Sequence, residues 1–138
     1  MALWTTYLAF IARNQSEILF KLKCTGTHGA TIRYVARDRG NDAVAPSETL
    51  LSSFKDKKIT WEEYKHTYLM DLRDSAEAYH WMRNAAEDTE NFEVILVCFE
   101  KITPSKPHCH RVLLAEEILR LFPNVEYKGE LSQVFEEA

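Results

Sequence analysis

Phe92-Glu93-Val94-Ile95-Leu96-Val97-Cys98-Phe99 is the stretch that decides the fold. Val94 to Val97 form a continuous apolar run with no polar face. A strand of this kind is buried on both sides, as in a parallel sheet covered by helices. Downstream comes a loop holding Pro104 and Pro107, and then Cys109–Phe122. In that segment Val112, Leu113, Leu114, Ala115, Ile118, Leu119 and Leu121 recur at helical spacing, and Pro123 stops the helix. Val125–Lys128 reads as a last short strand, and Leu131–Phe135 as a short amphipathic tail.

Upstream of the central strand, helices dominate. Ser47 caps a helix with Leu50, Leu51 and Phe54 on its apolar face. Thr60 and Glu63 have the spacing of a capping box, followed by Trp61, Tyr64, Tyr68 and Leu72 at helical intervals. Asp74 and Glu77 repeat the spacing, which predicts a new helix from about Ser75 to Glu87 with Tyr79 and Trp81 in the core. Nearer the start, Leu3–Ala12 is rich in strand formers, and Ala30–Ala36 alternates as a second strand. Ser16–Lys23 reads equally as a short strand or helix. Thr25-Gly26-Thr27-His28-Gly29 is turn chemistry, and Asp38–Pro46 a polar loop. The order of strand, helices, strand, helix, strand predicts one α/β domain over residues 1–138. Its expected form is a mainly parallel sheet flanked by helices, a Rossmann-like arrangement in three layers.

The bulk numbers agree. A chain of 138 residues, 46% hydrophobic and 28% charged, can bury a core without disulfides or metal. Cys24, Cys98 and Cys109 are odd in number and lack framework spacing, so they read as free thiols of a reducing, cytoplasmic compartment. The apolar start has no basic flank and includes Thr5, Thr6 and Tyr7, which favours a strand over a signal peptide or membrane span. Charge is uneven. Six cations, among them Arg13, Arg33, Arg37 and Arg39, face two acids in residues 11–40, giving +4 there and −8 over residues 41–138. That basic segment either meets an anionic ligand or merely solvates loops and an edge strand. The net charge of −4 argues against a dedicated non-specific nucleic-acid binder, so nucleic acid is a disfavoured partner.

The candidate site follows from where parallel sheets bind ligands, beyond the carboxyl ends of their strands. Cys98 and Glu100 lie two residues apart at such an end and are expected to point the same way. The next helix begins near Cys109-His110-Arg111, where a helix N-terminus attracts anions and lowers a thiol pKa. Arg111 adds a planar fork, expected within salt-bridge range of Glu100. Cys109, Cys98, Glu100 and His110 are thus the catalytic candidates, with Arg111, Arg33 and Arg37 the anion-binding ones. Each has a plain structural alternative. Cys98 and Cys109 read as packed thiols, His110 as a loop histidine, and Glu100 as an exposed charge or a clip to Arg111.

Other templates fit poorly. Arg111 lies two residues after Cys109, too close for a phosphatase-type cysteine loop. There is no Cys-x-x-Cys, Walker loop or Gly-x-Gly-x-x-Gly, and no cofactor is implied. Cys98, His108, Cys109 and His110 include zinc-type ligands, but adjacent ligands strain a tetrahedral shell and paired spacing is missing, so no metal is expected.

Leu96-Val97-Cys98-Phe99-Glu100-Lys101 followed by Cys109-His110-Arg111-Val112-Leu113-Leu114-Ala115-Glu116 resembles the signature of the domain of unknown function 488 family. Thr5-Thr6-Tyr7, Ala45-Pro46-Ser47 and Ile59 to Tyr68 are similar to a branch frequent in phages and microbes. The resemblance spans most of the chain and is strongest from Ala45 to Leu121. It implies an α/β fold and a shared site, but no reaction. Two departures stand out. Eight residues, Lys101–His108, separate Glu100 from Cys109, somewhat more than the family pattern. The Ser-Arg that the family places after its second strand is missing, with Arg33 or Arg37 as substitutes.

Three functions fit these residues. One is an enzyme acting on a small anionic or nucleotide-like substrate. The alternative is a non-catalytic module binding a ligand, nucleic acid or protein at the same site, and the third a structural clip. Fold alone does not separate them. A membrane is not an expected partner, and oligomeric state has no signal in the sequence.

Overall fold

The computed structural model describes residues 1–22 and 29–136. Its centre is β3 (Glu93–Cys98), with Val94 to Val97 fully buried, as the apolar run predicts. β3 lies between β1 (Leu3–Tyr7) and β2 (Ala30–Tyr34), and β4 (Tyr127–Glu130) completes a sheet of order β2-β3-β1-β4. All three pairings are parallel.

The two faces of the sheet carry different helices, which makes three layers. Leu3, Val94 and Leu96 pack under α2 (Glu48–Lys55), α3 (Trp61–Arg73), α4 (Ala76–Asp88) and α5 (His110–Leu121). Trp4, Ile95 and Val97 face α1 (Leu8–Lys21) and α6 (Leu131–Glu136) through Phe10, Ile11, Ile18 and Leu131. The expected α/β arrangement is therefore present.

Local capping chemistry sets several helix starts. Ser47 accepts from Leu50 N–H, and Thr60 and Glu63 close both bonds of the capping box. The next helix starts where expected, but Ser75 is the capping side chain, accepting from Ala78 N–H. No described helix is long and apolar enough to cross a membrane.

Several boundaries differ from the sequence reading. The strand expected over Leu3–Ala12 ends at Tyr7, and α1 starts at Leu8, kinks at Asn14 where the backbone leaves helical angles, and runs on through the ambiguous segment to Lys21. Tyr7 makes no capping hydrogen bond, so the apolar run passes from strand to helix without punctuation. The last strand sits two residues later than Val125–Lys128. Asp38–Pro46 holds a 3-10 turn, Asp42–Val44. Trp81 packs against the edge of the core, but Tyr79 does not. Ala78, Met82, Ala85 and Ala86 fill α4's buried stripe, leaving Tyr79 exposed and Trp81 half-buried with its indole N–H on Asn41. The expected turn at Thr25–Gly29, except for Gly29, and the Cys24 thiol lie outside the described residues.

One irregularity matters for the site. Leu3 pairs with Tyr127, but Thr5 pairs with Glu130, so β4 carries an extra residue. Gly129 absorbs it with φ of 98°, a conformation that side chains disfavour. The bulge brings Glu130, not Gly129, opposite Thr5.

Candidate functional site

β1 and β3 are neighbours, yet the chain leaves them toward opposite faces, into α1 and toward α5. That divergence opens a crevice at the carboxyl ends of the two strands, the usual ligand position in an open α/β sheet. Tyr7 and Cys98, which pair across the sheet, end there. A shallow, open recess is lined by Leu8, Tyr34, Ala36, Val97, Cys98 and Phe99. It encloses no room for even a water molecule, so it is a surface depression and not a formed pocket.

Cys98, Cys109 and His110 converge at this end of the sheet, with both sulfurs and a ring nitrogen mutually within 4.8 Å. Cys98 arrives as the last residue of β3, and Cys109 as the extended N-cap of α5. His110 is the first residue of that helix. Its Nδ1 lies 3.8 Å from Cys98 Sγ and 3.9 Å from Cys109 Sγ. Its Nε2 lies 2.9 Å from the carbonyl oxygen of Val35. A carbonyl only accepts, so Nε2 carries a hydrogen and Nδ1 is the nitrogen that meets both sulfurs, although Cys98 Sγ also lies 4.0 Å from Nε2.

The two thiols titrate in opposite directions. Cys109 is held well below the usual thiol range, foremost by the Cys98 thiol donating to it, then by His110 and Arg111, against the cost of burial. Cys98 is pushed up, because it donates that hydrogen bond and is itself buried. Of the two, Cys109, the half-buried sulfur, is therefore the easier to ionise and Cys98 the harder.

α3 walls the cluster with aromatic rings. Tyr68 meets His110 edge-on at 5.7 Å and donates its hydroxyl to Val44 O at 2.6 Å. Trp61 stacks on His108 at 4.3 Å, which fixes the residue before Cys109. His108 thus sits on a surface ring, apart from the other three candidate ligands. Burial, then neighbouring Cys109 and Cys98, raises the Tyr64 hydroxyl pKa. Burial, then Tyr64 and both cysteines, raises that of Tyr68, so both hydroxyls remain neutral.

Glu100 and Arg111 do not form the expected ion pair. β3 ends at Cys98, the chain bends, and the Glu100 side chain is exposed. Arg111 is fully buried and its fork is filled. Nε and Nη2 donate to Glu130 at 2.8 and 3.0 Å, and Nη1 donates to the Glu100 carbonyl at 2.8 Å. Burial alone would weaken the charge, but the bonds to Glu130 hold Arg111 firmly protonated. Arg111 therefore clips α5 to β4 and to the bend after β3. Arg33 is engaged with Asp88 and lies over Trp81. Arg37 donates to Pro46 O at 3.2 Å and approaches Asp42 at 3.7 Å.

Two further cations at this end of the sheet are ones that pattern reading did not single out. Arg39 lies over the exposed Phe99 ring at 4.9 Å, and Lys101 over Tyr7 at 5.9 Å. Both are exposed, and neither has a carboxylate partner among the described residues. Glu130 and the Val35 carbonyl were also missed. Glu130 lies 19 residues from Arg111, and no side-chain pattern marks a backbone oxygen.

A family model described as the Active DUF488-N3 subclade matches residues 26–121, well over half of the chain and the whole of the cysteine and histidine cluster. Among curated proteins and among solved structures, nothing matches.

Proposed function

We propose that this chain, which belongs to the domain of unknown function 488 family, is an enzyme that uses Cys109 as a nucleophile on a small anionic substrate. The observation that carries the reading is the oriented Cys109–His110 pair, with Val35 holding the far side of the imidazole. This is the arrangement of an activated nucleophile: sulfur, base, and a third group that orients the base.

In this reading Cys109 sulfur attacks an acyl or phosphoryl centre presented at this end of the sheet. Ionisation of Cys109 places its proton on His110 Nδ1, and as the bond to sulfur forms the imidazolium gives that proton to the leaving group. The neighbouring Cys98 thiol favours the ionised form of Cys109. Arg39 and Lys101 at the rim attract the anionic part of the substrate, a role the filled fork of Arg111 does not perform. Phe99 offers an exposed ring beside them, which suits a nucleotide-like group. Such chemistry needs both thiols reduced, which fits a cytoplasmic setting.

Iodoacetamide labelling of the folded, reduced protein across pH, read by mass spectrometry at each cysteine, tests the reading. Cys109 should label fastest near neutral pH, with a midpoint below that of a free thiol, and Cys98 slowest. Labelling of Cys109 no faster than Cys98 would remove the nucleophile and leave the non-catalytic binding module as the better account.

A further inference from the structure

We propose that Cys98, Cys109 and His110 form a binding site for a borderline-to-soft divalent cation, Zn²⁺ foremost, whose occupation takes Cys109 out of nucleophilic service. The binding half stands on geometry alone. The regulatory half rests on the nucleophile reading above.

Three observations carry it. The first is the ligand set. Two thiolate sulfurs and one imidazole nitrogen match the preference of zinc, and the relevant atoms all lie within 4.8 Å of one another. Zinc bonds of about 2.3 Å to sulfur and 2.0–2.1 Å to nitrogen, at tetrahedral angles, require S···N separations of about 3.5–3.6 Å and S···S of about 3.8 Å. The S···N distances are already 3.8 and 3.9 Å. A few tenths of an ångström at the imidazole, and at most about 1 Å between the sulfurs, would complete the shell.

The second observation is the histidine's other nitrogen. A metal-bound histidine generally donates its remaining N–H to a carbonyl or carboxylate, which sets its tautomer and ring angle. His110 Nε2 already does so to Val35 at 2.9 Å, and its ring packs against Tyr68 at 5.7 Å.

The third is the backbone. Two adjacent ligands strain a shell when both lie on one regular element. Here the chain changes conformation between them. Cys109 is extended, with φ of −149° and ψ of 144°, and His110 begins the helix, so both side chains face Cys98. His108 belongs to the Trp61 stack and not to the shell. Three protein ligands leave a fourth position for water or an exchangeable group, as in open zinc sites. Ligation deprotonates both thiols and occupies the sulfur that would attack a substrate.

The test uses the full chain, reduced and stripped of metal, in a Cys24→Ser background so that the only thiols are those of the cluster. Titration with Co²⁺ should give one equivalent of bound metal, with thiolate-to-cobalt charge transfer and visible bands of tetrahedral intensity. Zn²⁺ should displace it. In saturating Zn²⁺ the labelling of Cys109 by iodoacetamide should slow at least about tenfold and recover on chelation. Cys98→Ser should weaken Zn²⁺ binding by at least about tenfold, since even outer-shell changes cost that much. A Co²⁺ complex without charge transfer, or with less than one equivalent bound, overturns the site even if Cys98→Ser does not fold. Zn²⁺ bound at one equivalent with Cys109 labelling unchanged overturns the regulatory half. Labelling of the metal-free protein judges the nucleophile separately, so the two readings fail by different measurements.

Discussion

Arg111→Lys separates a filled, buried fork from a mere positive charge. Arg111 is wholly buried and makes three hydrogen bonds, two to the Glu130 carboxylate and one to the Glu100 carbonyl. Lysine keeps the charge but offers a single ammonium on a flexible stem. It retains one contact with Glu130 and strands two acceptors in a site with little access to water. Hydrogen bonds to charged groups contribute about 1.5–3 kcal/mol each, and breaking a buried ion pair outright costs about 3–5 kcal/mol. Retaining one contact sets the expected loss at roughly 2–4 kcal/mol, or a fall in Tm on the order of 10 °C for a chain of this length. Urea and thermal unfolding measure it. Arg83→Lys is the control, because Arg83 is exposed beside Glu87 and its replacement should stay within about 0.5 kcal/mol. Glu100→Gln should also be nearly silent, since only the Glu100 carbonyl takes part, whereas Glu130→Gln should destabilise. Equal stabilities for Arg111→Lys and Arg83→Lys would refute the clip.

Gly129→Ala places a side chain at φ of 98° with no atom within 4 Å of the new Cβ, so its cost of about 1–3 kcal/mol is strain without collision. Because the bulge presents Glu130, this loss should be less than additive with that of Arg111→Lys in a double-mutant cycle; strict additivity would disconnect the two. Glu117 is buried, which disfavours its charge, yet bonds from Arg120 and Arg73 hold its pKa down to about 2. A depressed carboxylate stabilises the fold above its unfolded pKa and loses that contribution as pH falls through the folded one. On the order of 2–3 kcal/mol should therefore vanish between about pH 4.5 and 2, and Glu117→Gln should flatten stability over that window. In denaturant without reductant, three thiols should titrate, Cys98 and Cys109 being free and Cys24 the third; a count of one would mean a disulfide.

What the sequence disclosed and what it hid divide by the range of the interaction. β3 was legible because burial on both faces leaves an uninterrupted apolar run. The caps at Ser47 and Thr60 were legible because both partners of each bond lie within three residues. The end of β1 was not, since Tyr7-Leu8 joins strand to helix within one apolar run and no side chain marks the change. The site shows the same division. Its reactive groups could be named, and Cys98, Cys109 and His110 do meet, because a strand end and the following helix start are brought together by the fold class itself. The partner of Arg111 could not be named. Glu100 was the acid at the end of the preceding strand, but the pairing depends on β4 lying beside β1 and on a bulge at Gly129, neither of which leaves a local pattern. The motif that reads as one constellation is therefore two devices. Arg111, with the backbone of Glu100, fastens both ends of the loop from Phe99 to His108. Cys98, Cys109 and His110 meet at the crevice that this fastening holds in place. Loosening the clip should therefore alter Cys109 reactivity without any change to the reactive groups themselves.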